Sequence, residues 1–144
     1  MKKKKLLLSS DHAGYLLKRH LVSFLKKEGY AIDDLGPDSE QSVDYPDYAH
    51  KLAENINEHT IGIAICGSGI GISIALNRHN NVRAALCSNQ TMASLSRKHN
   101  NANVCVLSGR FLSLIEAENI VTAFLTTDFE GGRHQLRIDK INLQ

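Results

Sequence analysis

The 144-residue chain has little of what marks membrane, secreted or nucleic-acid-binding proteins. No apolar run approaches the ~20 residues needed to cross a bilayer. Leu6-Leu7-Leu8, behind the basic run Lys2–Lys5, is far too short for a signal-peptide core and gives way to Ser9-Ser10-Asp11-His12. Net charge is only +2, which gives no ground for a nucleic-acid or membrane partner, and Lys2–Lys5 reads as a solvated chain start. The cysteines number three, Cys66, Cys87 and Cys105, odd in count and widely spaced in apolar surroundings. They read as free thiols in a reducing cytoplasm, not as a disulfide framework. No CxxC or HxxxH pair offers metal-ligand spacing, so no structural metal is expected. Internal repeats, low-complexity tracts and linkers are also missing, and the length suits one domain, residues 1–144, around one core.

What is present is an alternation. Apolar runs of strand length cover Lys4–Ser9, Tyr30–Leu35, Ile61–Cys66, Arg83–Cys87 and Asn103–Leu107. Between them lie helical patterns: Gly14–Glu28, with Leu17, Leu21, Phe24 and Leu25 on one face; Tyr45–Asn57, entered through Pro46; Ile70–Asn77; and Gln90–Lys98. Leu112–Leu125 follows the last strand, and Gly131-Gly132 precedes a final helix, Arg133–Ile141. Strands that are apolar throughout, each followed by a helix, predict an α/β protein: a five-stranded parallel sheet between two helical layers, Rossmann-like, with an added C-terminal helix. In such folds ligands sit at the carboxyl ends of the strands, where the strand order reverses. Two polar loops have that location, Ser10–Gly14 and Cys66–Gly71. If the first and third strands are neighbours, both loops face one crevice.

The segment Thr60–Gly71, TIGIAICGSGIG, carries the strongest chemical signal. A strand ends in Cys66, and glycines 67, 69 and 71 lead into a helix. A thiol there stands beside free backbone N–H groups at a helix N-terminus, a place that binds anions and favours thiolate. A buried cysteine is more often inert packing, and Cys87 and Cys105, which lack the glycine turn, read as core. The loop is not a P-loop, does not meet GxGxxG, and has Ile72 where a cysteine phosphatase needs its arginine. An oxyanion hole of backbone amides remains. Asp11 and His12 read either as loop caps or as substrate contacts. Ser96–Asn103, SRKHNNAN, leads into the fifth strand at the far end of the sheet. It is a polar turn, or it lends His99 and Asn100 to a neighbouring subunit's site. Arg133 and Arg137 share one helix face, with no acidic residue four positions after either, and suit a phosphate dianion if they are not simply a solvated face.

Taken together, DHAG at Asp11–Gly14, DYP at Asp44–Pro46, CGSGIGISIA at Cys66–Ala75, SRKHNNAN, Gly109-Arg110 and EGGRHQLR at Glu130–Arg137 resemble the type B ribose-5-phosphate isomerases, in the wider family with allose- and galactose-6-phosphate isomerases. Ser68 stands where threonine is common, and Leu76-Asn77-Arg78 replaces the more usual alanine-asparagine-lysine. The resemblance implies an aldose–ketose isomerisation through a cis-enediolate with no cofactor. It implies Cys66 as the base moving a proton between C2 and C1, and Ser68 as the group handling the hydroxyl proton. Amides of Gly67, Gly69, Ile70 and Gly71 would hold the oxyanion, and His99 would open the furanose ring with Asn100 assisting. Asp11 and Tyr45 would contact the sugar; His12, Arg133 and Arg137 would hold phosphate, with Arg110 a further contact. It also implies a homo-oligomer, dimer or tetramer, with the site between subunits. A non-catalytic sugar-phosphate sensor is the alternative of another class.

Overall fold

The computed structural model describes residues 3–143, so Lys2 of the basic run lies outside the described residues. Five strands, β1 (Lys5–Ser10), β2 (Ile32–Asp34), β3 (Thr60–Cys66), β4 (Ala84–Leu86) and β5 (Val104–Ser108), alternate with helices α1 (Tyr15–Lys27), α2 (Tyr45–Asn55), α3 (Ile70–Leu76), α4 (Gln90–Asn100) and α5 (Leu114–Thr126), and α6 (Arg133–Ile138) follows. All pairings are parallel in the order β2-β1-β3-β5-β4. The chain steps one way from β1 to β2 and then crosses to β3 on the other side, so the order reverses between β1 and β3. The first and third strands are neighbours, which meets the condition for both loops to face one crevice.

The hydrophobic pattern explains the layers. Every residue of β3 is buried, because the central strand is covered on both faces. Leu17, Leu21 and Leu25 of α1, Ala93 of α4 and Ile120, Val121 and Phe124 of α5 pack on one face. Ala49, Leu52 and Ala53 of α2 and Ile72, Ala75 and Leu76 of α3 pack on the other. Each fully buried side chain of the Leu or Phe kind contributes about 1.5–3 kcal/mol of transfer free energy. Helix ends are set by side chains: Asn89 Oδ1 accepts from the Met92 N–H at 2.8 Å, and Ser113 and Glu116 form a reciprocal capping box. Asn101, at φ 43°, closes α4 in the left-handed conformation that asparagine tolerates and turns the chain toward β5.

Two strands depart from the sequence reading. Tyr30–Leu35 yields only Ile32–Asp34, and Arg83–Cys87 only Ala84–Leu86. Both lie at sheet edges, where one row of backbone partners is missing. Nor is β2 apolar throughout. Asp33 pairs with Lys5 at 2.8 Å and Asp34 with Lys18 at 2.6 Å. An edge position leaves those carboxylates room for water. Lys18 itself is 1% exposed, and its Nζ also donates to the Pro37 carbonyl at 3.0 Å. A helix residue thereby anchors the loop that follows β2. Among the described residues, no helix is long and apolar enough to cross a membrane.

Candidate active site

Three strand ends converge at the carboxyl edge of the sheet. The Asp11 N–H donates to the Ile65 carbonyl at 3.1 Å, which ties the loop after β1 to the end of β3. The Gly109 N–H donates to the Cys66 carbonyl at 2.8 Å and the Arg110 N–H to the Gly67 carbonyl at 3.0 Å. Ser108 Oγ donates a second bond to the Gly67 carbonyl at 2.7 Å. The end of β5 thus braces the glycine loop from below. Arg110 lies against that loop, for a Cβ placed on Gly67 would stand 3.3 Å from its Nε.

Within the loop the polar hydrogens are already directed. The Gly69 N–H donates to Cys66 Sγ at 3.2 Å, and the Ile70 N–H to Ser68 Oγ at 3.1 Å. Gly69 has φ 80°, and a Cβ there would come within 2.5 Å of Leu86, so only glycine allows this turn. Cys66 is 4% exposed and Ser68 half-buried. The ring of Tyr45, the first residue of α2, lies over Gly71, where any Cβ would meet it at 2.6 Å. That glycine is what lets the aromatic ring close one side of the loop.

The loop after β1 is equally ordered. Asp11 Oδ1 accepts from the Gly14 N–H at 3.0 Å, capping a 3-10 turn over His12–Gly14. His12 Nδ1 accepts from the Val43 N–H at 3.2 Å. That bond assigns the neutral ring's proton to Nε2, which is left as a donor. Asp11, His12, Tyr45, Cys66, Ser68, Gly67, Gly69, Ile70, Gly71 and Arg110 therefore gather in one region, as the sequence suggested.

His99, Asn100, Arg133 and Arg137 do not join them within the chain. They lie where α4 runs into β5, and β5 itself spans five residues, roughly 16 Å, before it reaches the glycine loop. Here the Arg83 guanidinium donates to the Asn100 carbonyl at 3.2 Å, and α6 packs beside α4. Arg133 and Arg137 are exposed on α6, and no ion pair holds either among the described residues. The second group lies at the opposite end of β5 from the first.

Two residues that sequence reasoning did not single out sit in this second group. His134 stacks on His99, with ring centroids 4.4 Å apart and planes 15° from parallel. Glu130 Oε1 stands 3.4 Å from His134 Nε2. One ligand atom from each of His99, Glu130 and His134 lies within 4.8 Å of the others. The 30 residues between His99 and Glu130 hide the group from any spacing rule. Only Glu130 and His134, four apart in EGGRH, gave a local signal. Nearly parallel rings direct their in-plane lone pairs side by side instead of toward a common point, so the group is poorly arranged to hold an ion.

Of the other thiols, both are core. Cys105 is fully buried, and its partner Cys87 together with burial pushes its titration well above the ordinary thiol range. Neither has a glycine turn beside it.

Comparison with known proteins bears directly on this arrangement. The family described as Ribose/Galactose Isomerase matches residues 6–141. Ribose-5-phosphate isomerase B of Escherichia coli (strain K12) is 42% identical over 140 residues, spanning 96% of this chain and 94% of the relative. The structure of ribose 5-phosphate isomerase B from Anaplasma phagocytophilum superposes with a TM-score of 0.95 at 45% identity, covering 99% of both chains. That of ribose-5-phosphate isomerase B from Mycoplasma genitalium with bound ribulose-5-phosphate gives a TM-score of 0.88 at 43% identity, covering 95% of this chain and 93% of the other. Fold, strand-end glycine loop and near full-length identity agree, and the chain belongs to the ribose/galactose isomerase family.

Proposed function

We propose that this protein interconverts ribose 5-phosphate and ribulose 5-phosphate in the cytoplasm, acting as a single domain in a homo-oligomer and using no metal or organic cofactor. The observation that carries the reading is the Cys66 sulfur held by the Gly69 N–H at 3.2 Å inside a glycine loop at the sheet's switch point. The thiolate is the form that takes a proton, and this amide hydrogen is aimed at the sulfur that would carry the charge.

In this reading Cys66 removes the C2 hydrogen of the open-chain aldose and returns it to C1. Deprotonating carbon next to a carbonyl is feasible only where the forming enediolate oxygen is stabilised. Fixed amides do this without reorganising, and one such donor is worth ~3–4 kcal/mol of barrier. The Gly69 amide is engaged by the sulfur, so the oxyanion falls to the amides of Gly67 and Gly71. The Ile70 amide joins them once the Ser68 hydroxyl turns from it to move the proton between O1 and O2. Asp11, whose Oδ2 is left over from capping, and Tyr45 hold the sugar hydroxyls. His12 presents Nε2–H to the phosphate with Arg133 and Arg137, and Arg110 adds charge at the loop. The remote phosphate positions the reacting carbons against the sulfur.

His99 opens the furanose as general acid, with Asn100 beside the enediolate. Both come from a second copy, because their own chain carries them at the opposite end of the sheet. Exposed apolar side chains next to the glycine loop support such a partner: Ile70 and Ile74, 55% and 56% exposed, on α3, and Leu16, 59% exposed, on α1.

The test is a panel of ribose, allose and galactose phosphates followed by NMR in deuterated water. We expect turnover of ribose 5-phosphate with deuterium entering the carbon skeleton, and almost none by Cys66→Ala, which still binds sugar phosphate. Preference for a 6-phosphate would reassign the substrate. Binding without exchange would make the protein a sensor. Retained exchange in Cys66→Ala would remove the sulfur from the role of base.

A further inference from the structure

His134 is buried, 6% exposed, yet among the described residues its Nε2 has no hydrogen-bond partner. Glu130 Oε1, at 3.4 Å, lies within ion-pair range of it but outside hydrogen-bond geometry. A buried ring nitrogen left in this condition calls for a reason. The ring it covers is that of His99, face to face at 4.4 Å. The segment that brings Glu130 here is itself fixed to α4, since the Glu130 N–H donates to the Lys98 carbonyl at 3.1 Å.

From this stack we infer that His134 and Glu130 are positioning residues that hold the His99 imidazole in plane and supplied with a proton for sugar ring opening. The inference rests on the isomerase reading above.

Stacking removes the free rotation that an exposed imidazole would have, so His99 presents one edge in one direction. The Glu130 carboxylate lies close to a ring nitrogen of each histidine, an anion beside the proton that His99 must deliver. The remaining charged groups on the packed elements are Arg97 and Lys98 on α4 and Arg133 and Arg137 on α6. All are cationic, which leaves Glu130 as the anion of the cluster.

Ring opening then balances as follows. The C1–O4 bond breaks and its electron pair goes to O4. O4 takes a proton from a ring nitrogen of His99. The O1 hydroxyl becomes the C1 carbonyl and gives its proton to water, from which the imidazole pair is recharged.

The chemistry of the two substrates supplies the test. Ribose 5-phosphate is mostly a closed furanose. Ribulose 5-phosphate has its C5 oxygen esterified and cannot form a five-membered ring, so it is open-chain. Exchange of its C1 hydrogen with deuterated water needs Cys66 and the enediolate but no ring opening. We therefore compare, for His134→Ala, His134→Phe and Glu130→Gln, the turnover of ribose 5-phosphate with C1 exchange in ribulose 5-phosphate.

Turnover is expected to fall at least about tenfold in each, since a general acid is typically worth 10²–10⁴-fold. Exchange is expected to stay within about twofold, which also shows that each variant is folded. In a His99→Ala background the same changes should add no further loss of turnover, as for residues acting through one group. Turnover and exchange falling together, or neither falling, would overturn the inference and leave the isomerase reading intact. Exchange that survives Cys66→Ala would instead strike at that reading.

Discussion

At the residue scale the three cysteines divide as their surroundings dictate. Cys66 meets an amide hydrogen, whereas Cys105 meets another thiol and apolar side chains that hold it protonated. Iodoacetamide at neutral pH should therefore modify Cys66 first, and phosphate ligands should slow that reaction. Cys105 should react only after unfolding, as peptide mass mapping would reveal. Equal labelling of both in the folded protein would contradict the contrast. This division was legible in the sequence, because glycines 67, 69 and 71 flank one thiol and not the others. The stack of His134 on His99 was not, since it depends on how α6 docks on α4. Lys18 was also invisible: a lysine in an amphipathic helix reads as solvated, and only the fold shows its ammonium enclosed between Asp34 and Pro37.

Among the elements, that lysine connects helix α1 to the loop leading toward Tyr45. Replacing Lys18 with methionine keeps the volume but leaves the buried Pro37 carbonyl without this donor. We expect a loss of about 1–3 kcal/mol, a fall in Tm of roughly 3–10 °C, measured by calorimetry. An unchanged Tm would mean that the loop is held by other contacts. The α5 capping box gives a pH-dependent prediction. Hydrogen bonds from Ser113, backbone first and side chain second, lower the Glu116 carboxyl below its ordinary range. A carboxyl lowered in the folded state stabilises above its unfolded value, near pH 4.3. That contribution is lost as pH falls through the lower folded value. The difference in Tm between native protein and Ser113→Ala should accordingly be larger at pH 7 than at pH 3. Helix starts at Tyr45, Ile70, Gln90 and Arg133 were readable from apolar spacing and from Pro46 and the glycines. The edge strands were overextended because an apolar run says nothing about how many neighbours a strand has.

For the whole molecule, the order β2-β1-β3-β5-β4 places the thiol, its amides and Asp11 at one end of the sheet and His99, Arg133 and Arg137 at the other. The alternation of apolar runs made the parallel sheet legible. The position of SRKHNNAN before the fifth strand made the separation of the two groups legible as well. In the proposed reading a working centre needs two copies, each lending one end to the other, and a closed two-fold pairing makes two such centres at once. Co-expression of two inactive variants, Cys66→Ala and His99→Ala, tests this most directly. Random pairing makes half the dimers mixed, and each mixed dimer keeps one centre intact, so about a quarter of native ribose 5-phosphate turnover should return. A mixture as inactive as its parents would contradict a centre shared between two chains.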